Sequence, residues 1–431
     1  MKTGARLQAA VEILDEIATR HRPAAEALSD WGRTHRFAGS GDRSSIGNLV
    51  YDVLRRRQSL AAIMGSDQPR AMVLGAARHA FGMTRAEIEA SADGSAHVIS
   101  ALSDEEAAGL DRDLGEATPA YIRGDFPEWL APHFERVFGA SAAREGEALA
   151  RRAPVDLRVN TLRSDRDKVS KALAKFGAMP TPFSPNGVRI VPPAGGGRSA
   201  NVEADASHGR GWFEVQDEGS QIAALMADVG PRRQVLDLCA GAGGKTLALA
   251  AQMQNTGQIY AYDSERQRLR PIFERLKRAG ARNVQVLEGG DEAALIALGA
   301  RFDLVLVDAP CSGSGVWRRR PDAKWRLRPA SLEERCAEQR AVLDLGARMV
   351  KPGGRLVYVT CSVLPQENVD QIEAFKQRHP LFVGLPTDQL WRAHLPGDPP
   401  SAEDGERNSL LLTPARHGTD GFFIAGLTAG A

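Results

Sequence analysis

Val235-Leu236-Asp237-Leu238-Cys239-Ala240-Gly241-Ala242-Gly243-Gly244-Lys245-Thr246 decides how the chain is read: an apolar strand runs straight into a glycine-rich turn that opens a helix. After that first strand, Val235–Leu238, similar apolar runs recur at Gln258–Tyr262, Val284–Leu287, Leu304–Val307 and Leu356–Thr360, with helical stretches between them. Short continuous apolar runs are what parallel strands covered on both faces require. The alternation predicts an α/β, doubly wound parallel sheet, a fold that receives ligands at the carboxyl ends of its strands. The helix before the fifth strand is expected to start with a capping box, Ser331-Leu332-Glu333-Glu334, and to be ended by Pro352-Gly353-Gly354.

The turn admits three readings. A phosphate loop needs a glycine five residues before its Gly-Lys pair, and Cys239 stands there. A dinucleotide fingerprint uses Gly241 and Gly243 but meets Thr246 as its third residue. An S-adenosylmethionine turn, loosely acidic-x-Gly-x-Gly-x-Gly, takes Asp237, Gly241 and Gly243, with Cys239 at the first glycine. That cofactor has no pyrophosphate, so the turn need only bring backbone close. Asp263 ends the second strand, where a carboxylate takes ribose hydroxyls; Asp291 follows the third, facing the adenine edge. Singly, each aspartate reads as a helix cap or loop solubiliser. With Asp308 they form a row of carboxylates at strand ends, which that reading explains less well.

The chain has four cysteines and no Cys-x-x-Cys pair, which argues against a disulfide framework, a structural zinc site or any other metal centre. Cys336, on the apolar side of its helix, and Cys239, beneath the turn, suit the common role of small buried hydrophobes. Cys311, in Asp308-Ala309-Pro310-Cys311-Ser312-Gly313, and Cys361, in Thr360-Cys361-Ser362, instead follow neighbouring strands in loops of Gly, Ser and Pro. Both thiols are expected to open into one crevice beside the cofactor. Two thiols there suit methylation of cytosine at carbon 5. That carbon is a poor nucleophile until a thiolate adds to carbon 6, and the adduct must then lose its carbon-5 proton and expel the thiolate. Lys245 would favour ionisation of the attacking thiol, and Asp308, as a carboxylic acid on ring nitrogen 3, would stabilise the developing charge. The target base must leave any stack. The residues alone leave open which cysteine attacks.

At this point the chain resembles a family. Val215-Gln216-Asp217-Glu218-Gly219-Ser220-Gln221, the Gly-Gly-Lys-Thr turn, Asp-Ala-Pro-Cys-Ser-Gly, Arg319-Arg320-Pro321-Asp322-Ala323-Lys324-Trp325, Thr360 to Asn368 and Asp420-Gly421-Phe422-Phe423 are similar to the RsmB/Sun-type ribosomal RNA cytosine-C5 methyltransferases, across most of residues 155–425. The resemblance implies a class I methyltransferase-like sheet, Cys361 as nucleophile and Cys311 assisting breakdown of the adduct. It also implies a cofactor held by Cys239, Ala240, Gly241, Ala242, Gly243, Gly244, Lys245, Asp263, Asp291 and Asp308. The chain departs from the family in carrying Gly241-Ala242 where Ala-Pro is usual, and in lacking an arginine shortly after Asp291.

Outward from this core, Leu157–Leu162, Val188–Val191 and Trp212–Val215 read as strands of a small α+β module, with a helix from Val169 to Phe176 and a mobile Gly/Ser-rich loop, Ala194–Ala200. Its Leu157-Arg158-Val159-Asn160-Thr161 resembles the family's RNA-contacting domain. Residues 5–82 show helical spacing, with Asp42 or Ser44 as N-cap; residues 85–118 predict less well packed helices, and Phe126 starts another helical region ending near Arg152. The segment Arg36 to Arg57 looks NusB-like. The expected domains are therefore 1–145 (helical, NusB-like), 146–215 (RNA-contacting) and 216–431 (methyltransferase).

Net charge is +1, with basic clusters at Arg55–Arg57, Arg151–Arg152 and Arg318–Arg320. Each alone reads as solvated surface, whereas one basic face would suffice for RNA. No run approaches the roughly 20 apolar residues that span a bilayer, and no signal-type stretch follows Met1. The expected protein is cytoplasmic, monomeric and free of membrane and metal, its partner being small-subunit rRNA or an assembling subunit. Transfer RNA as substrate, and a non-catalytic RNA-binding assembly factor on the same scaffold, are the alternatives.

Overall fold

The computed structural model describes residues 1–197, 200–400 and 408–430. These divide into two compact units. The first holds Met1–Ala153, the loop that starts at Pro192, and Trp317–Arg326; the second holds the remaining described residues. Residues 198–199 of the Gly/Ser-rich loop lie outside the described residues, and so does any reading of that loop's mobility there.

The first unit is helical. Thr3–Arg20, Ser40–Arg55 and Pro69–His79 carry Leu7, Ala10, Ile13, Leu14, Leu49, Val50, Val53, Val73 and Leu74 into one apolar core. Asp42 is not the N-cap of its helix: Gly39 is, and Asp42, one turn in, accepts from the Gly39 N–H at 3.3 Å while pairing with Arg6 and the N-terminal amine. Residues 85–118 form only two short helices, Arg85–Ser91 and Asp104–Gly109, with one strongly buried side chain in the first, Ile88. The family-like segment Trp317–Arg326 folds with these helices. Lys324 is buried and donates to the Arg55 carbonyl at 2.8 Å, and the Trp325 indole donates to the Leu54 carbonyl at 2.6 Å.

The second unit begins with an antiparallel sheet of β1 (Val155–Val159), β2 (Met179–Pro180), β3 (Gly187–Ile190) and β4 (Phe213–Val215), in order β2-β3-β1-β4. Alternation sends Leu157, Val159, Val188, Ile190 and Phe213 into a small core with Val169 and Leu173. The opposite face is polar. Asp156 there pairs with Arg189 at 2.6 Å and accepts from the Glu218 N–H at 3.1 Å, and Asn160 donates to the Ala279 carbonyl at 2.8 Å.

The large sheet contains the five expected strands, β5 (Gln234–Asp237), β6 (Gln258–Ala261), β7 (Val284–Val286), β8 (Phe302–Asp308) and β9 (Val350–Thr360), all parallel. Three antiparallel strands complete it: β10 (Phe382–Gly384), β11 (Ser409–Leu412) and β12 (Phe422–Ala429). The order is β10-β12-β9-β8-β5-β6-β7, with β11 on β12. Both faces are covered. Leu304, Leu306, Val357 and Val359 face one helical layer, Val305, Val307, Leu356 and Tyr358 the other. The fold is that of a class I methyltransferase.

Two local expectations are corrected. The helix before β9 spans Pro329–Met349, so the capping box at Ser331 does not form: Pro329, with its fixed φ, takes the first turn, and Ser331 falls inside the helix. Pro352-Gly353-Gly354 does not end that helix either. These residues form an irregularity inside β9, where the register jumps from Phe302↔Val350 to Leu304↔Arg355 and Gly353 takes φ +70°. Among the described residues no helix is long and apolar enough to cross a membrane.

Because Asp156 is fully buried beside Arg189, Asp156→Ala is expected to destabilise the second unit by about 3–5 kcal/mol, read as a lowered urea midpoint. The double variant Asp156→Leu/Arg189→Met should recover part of that loss, whereas equal midpoints for wild type and Asp156→Ala would contradict the assignment.

Candidate active site

The carboxyl end of β5 leads into the glycine turn. Gly241 and Gly243 adopt left-handed φ of +50° and +82°, and a Cβ on Gly243 would stand 2.5 Å from Ile272 Cγ1. Only glycine satisfies both demands at Gly243. Asp237, fully buried below the turn, accepts from the Thr246 hydroxyl at 2.6 Å. Burial, then repulsion from Asp308 and Asp263, push its carboxyl up to about 7.

Asp263 lies at the end of β6 as expected, but the protein already uses it. One oxygen accepts from the Gly241 N–H at 2.9 Å and the other from the Glu265 N–H at 3.0 Å. A carboxylate has about four lone-pair positions, which leaves acceptor capacity for hydroxyls while fixing the loop. Asp291 is exposed and caps the helix Glu292–Ile296, accepting from the Ala294 N–H at 2.9 Å. Its cap role is thus realised, with one oxygen outside that bond. Cys239 sits under the turn; burial, then the charges of Asp263, Asp308 and Asp237, push its thiol well above the ordinary range. Cys336 bonds the Gln366 carbonyl at 3.5 Å and burial raises it to about 11, which suits a small core residue.

Strands β8 and β9 deliver the two remaining cysteines. Asp308 lies opposite Val359, and the loops beyond bring Cys311 Sγ to 3.3 Å from Cys361 Sγ. This is too long for a disulfide and short enough for a thiol hydrogen bond. That bond, then burial, hold Cys311 well above the usual thiol range. Either sulfur can be the donor in this contact.

Lys245, at the start of the helix Gly244–Gln252, pairs with Asp308 Oδ2 at 2.7 Å and lies 5.3 Å over the Phe422 ring. The structure brings Asp308, Lys245, Cys311 and Cys361 to the ends of three adjacent strands, with the turn alongside.

Three partners escaped sequence reasoning. Phe422, from antiparallel β12, stacks beneath Lys245. Arg275 ties the small sheet to the turn, donating to Glu214 at 3.0 Å and to the Ala242 carbonyl at 2.8 Å. Glu367, fully buried, accepts from the Ser312 N–H at 2.7 Å and from the Ser312 and Ser362 hydroxyls. The Asp420-Gly421-Phe422-Phe423 and Thr360–Asn368 motifs were the available signals. The basic clusters fare differently: Arg318 is buried, Arg55 and Arg152 pair with buried Asp52, and only Arg319 and Arg320 of the third cluster are exposed. A basic face of the kind RNA would need therefore draws on fewer arginines than the sequence suggests.

If Cys361 is the main group that keeps Cys311 protonated, Cys361→Ala should accelerate alkylation of Cys311 by iodoacetamide at pH 8.5, resolved by peptide mass spectrometry. The sign follows from the raised thiol: its reactive thiolate appears only as pH rises through that elevated value, and removing the largest cause moves the onset downward. An unchanged or slower rate would contradict this account.

Comparison with known proteins gives the same architecture a family. The model described as 16S rRNA methyltransferase RsmB/F matches residues 224–428, and the ferredoxin-like domain of Methyltr_RsmF/B-like proteins matches residues 126–195. The ribosomal RNA small subunit methyltransferase B of Salmonella typhi is 36% identical over 320 residues, covering 73% of this chain and 68% of that protein. The probable ribosomal RNA small subunit methyltransferase B of Synechocystis sp. is 35% identical over 315 residues, covering 70% and 66%. The matched stretch thus spans about two thirds of these relatives. Among solved structures, PH0851 is 25% identical with a TM-score of 0.73 over 99% of both chains. A methyltransferase homolog protein from Pyrococcus horikoshii is 27% identical with a TM-score of 0.58, covering 72% of this chain and 97% of its own. The chain belongs to the RsmB/F family of 16S rRNA methyltransferases.

Proposed function

We propose that this protein transfers a methyl group from S-adenosylmethionine to carbon 5 of a cytosine in small-subunit ribosomal RNA, through a covalent adduct of Cys361 with carbon 6. The observation that carries this reading is the pair of sulfurs 3.3 Å apart beyond the ends of β8 and β9, with Asp308 at the end of β8 paired to Lys245.

The residues of the turn fit the cofactor. A Cβ on Gly241 would meet only Arg268 and Asp263 side-chain atoms, at 3.7 and 3.9 Å, so the backbone is open on that side. Asp263 and Asp308 lie near enough to Cys239 to make its surroundings lean anionic. A cationic sulfonium suits that field, and the phosphates of a nucleoside triphosphate would be repelled by it. When bound, the cofactor supplies an electrophilic methyl group.

The chain's residues supply the rest. Asp308 accepts from the exocyclic amino group of cytosine, and Lys245 donates to its carbonyl and ring-nitrogen edge, where negative charge gathers as sulfur adds. Cys311, protonated at rest, donates to the Cys361 thiolate and favours the first ionisation of the pair. Cys361 sulfur bonds to carbon 6, and the electron pair of the 5,6 bond becomes available at carbon 5 for the methyl group. Cys311 loses its own proton to solvent, and the thiolate so formed takes the carbon-5 proton. The electron pair of that carbon–hydrogen bond restores the 5,6 double bond, the carbon–sulfur bond breaks and its electron pair returns to Cys361, so that one proton leaves to solvent for each methyl group transferred. In this reading the small sheet within 146–215 contacts RNA, the helical domain 1–145 assists that contact, and 216–431 carries the chemistry.

Labelled methyl transfer to 16S rRNA tests the proposal. Cys361→Ala is expected to abolish both transfer and adduct. Cys311→Ala should allow addition but stall release, so that a covalent RNA–protein complex accumulates. Asp308→Asn should lower kcat/KM by about 100-fold or more. An adduct that persists in Cys361→Ala and disappears in Cys311→Ala would reverse the assignment.

A further inference from the structure

Glu367 has no solvent exposure, and hydrogen bonds meet both of its carboxyl oxygens. Oε1 accepts from the Ser312 N–H at 2.7 Å and the Gln339 side-chain amide at 3.0 Å. Oε2 accepts from the Ser312 and Ser362 hydroxyls. Ser312 directly follows Cys311, and Ser362 directly follows Cys361. Gln339 also donates to the carbonyl of Pro310, the residue before Cys311, at 2.9 Å. A single carboxylate thus grips both cysteine loops at once, and one of its donors holds the other side of Cys311.

The loops have few other links of this kind. Ser314 bonds Ser362 at 2.9 Å and the Val363 N–H at 2.9 Å, while the Gly315 N–H reaches the Cys361 carbonyl at 3.0 Å. The Ser314 N–H also reaches the Ser312 hydroxyl at 3.3 Å, and the Ser312 and Ser362 hydroxyls lie 3.5 Å apart, but Glu367 draws a backbone N–H, a side-chain amide and both hydroxyls onto one group. A carboxylate accepts all four donors; an amide offers one acceptor oxygen, and both serine hydroxyls would have to turn round and accept from its N–H groups. Burying a charge this way is costly, and an apolar filler would serve bare stability as well. Its position between the two sulfurs' loops supplies the reason for keeping it.

The geometry points to Glu367 as a positioning residue that fixes the separation and direction of the Cys311 and Cys361 sulfurs. The half-reaction most sensitive to this is release, in which Cys311 must reach carbon 5 while Cys361 is still bonded to carbon 6. That consequence rests on the cytosine-adduct reading above; the positioning itself does not.

The test uses the full chain, with Glu367→Gln, Glu367→Asp and Ser312→Ala/Ser362→Ala. Without RNA, phenylarsine oxide bridges two thiols only when both are set for one arsenic atom, and peptide mass spectrometry reads joint protection of Cys311 and Cys361 from alkylation. Wild type is expected to be protected. Glu367→Gln and the double serine variant should bind the arsenical about tenfold more weakly, with Glu367→Asp between them. With RNA, release of the adduct should slow by about 10- to 100-fold while the KM for RNA stays within about threefold. Should Glu367→Gln fail to fold by circular dichroism, the serine variant, which keeps the charge, decides. Wild-type arsenical affinity and release in the folded variants would overturn the proposal. If arsenical binding weakens but wild type forms no adduct with RNA, positioning stands and the cytosine-adduct reading falls.

Discussion

Strands β8 and β9 lie side by side in parallel, with Asp308 opposite Val359, and this pairing is what places residues fifty positions apart in one site. Parallel neighbours end at the same edge, so the loops that follow them emerge together. The side chains that lock the two strands are apolar and alternate between two buried faces, so a slip of one residue would turn both cores inside out. Register at the sheet centre therefore fixes the sulfur separation at the sheet edge. The third participant, Lys245, comes from the helix after β5, the strand on the other side of β8. Antiparallel β12 reinforces the edge: Phe423 pairs with Thr360, the residue before Cys361, and Phe422 lies under the Lys245 ammonium.

The site is built from buried charge held by hydrogen bonds, and the carboxylates divide the work. Asp237 is pushed toward neutrality beneath the turn, Asp263 is tied to the turn's backbone, Asp308 is paired with Lys245, and Glu367 knits the loops. Donors and acceptors already held in place need little reorganisation during reaction. Glu214 extends the same device to the small sheet, gathering Arg275 and Arg278 and, through Arg275, the Ala242 carbonyl of the turn.

Much of this was legible before any coordinates. The five parallel strands announce themselves as apolar runs because both of their faces are buried, and the cysteines stand out because they follow such runs in loops of Gly, Ser and Pro. Strands β10 to β12 escaped notice: Phe382–Gly384 is too short to show a period, and Phe422–Ala429 is an almost continuous apolar run like those of the parallel strands, so its pattern does not give its direction. Ser331 misled because a capping-box spacing says nothing of Pro329 two residues earlier. Arg318 looked like surface because composition cannot tell a buried arginine from an exposed one. Glu367 was invisible as a site residue, since its role comes from where two distant serines happen to meet.

The central claim is that Cys361 sulfur forms a bond to carbon 6 of a ribosomal RNA cytosine during methyl transfer. An rRNA fragment carrying 5-fluorocytidine tests it most directly, because fluorine at carbon 5 cannot leave as a proton and the adduct is trapped. With S-adenosylmethionine present, the account predicts a protein–RNA species whose tryptic peptide carries a methylated fluorocytosine on Cys361. A modification on Cys311 instead, or methyl transfer to the RNA with no trapped species, would contradict it.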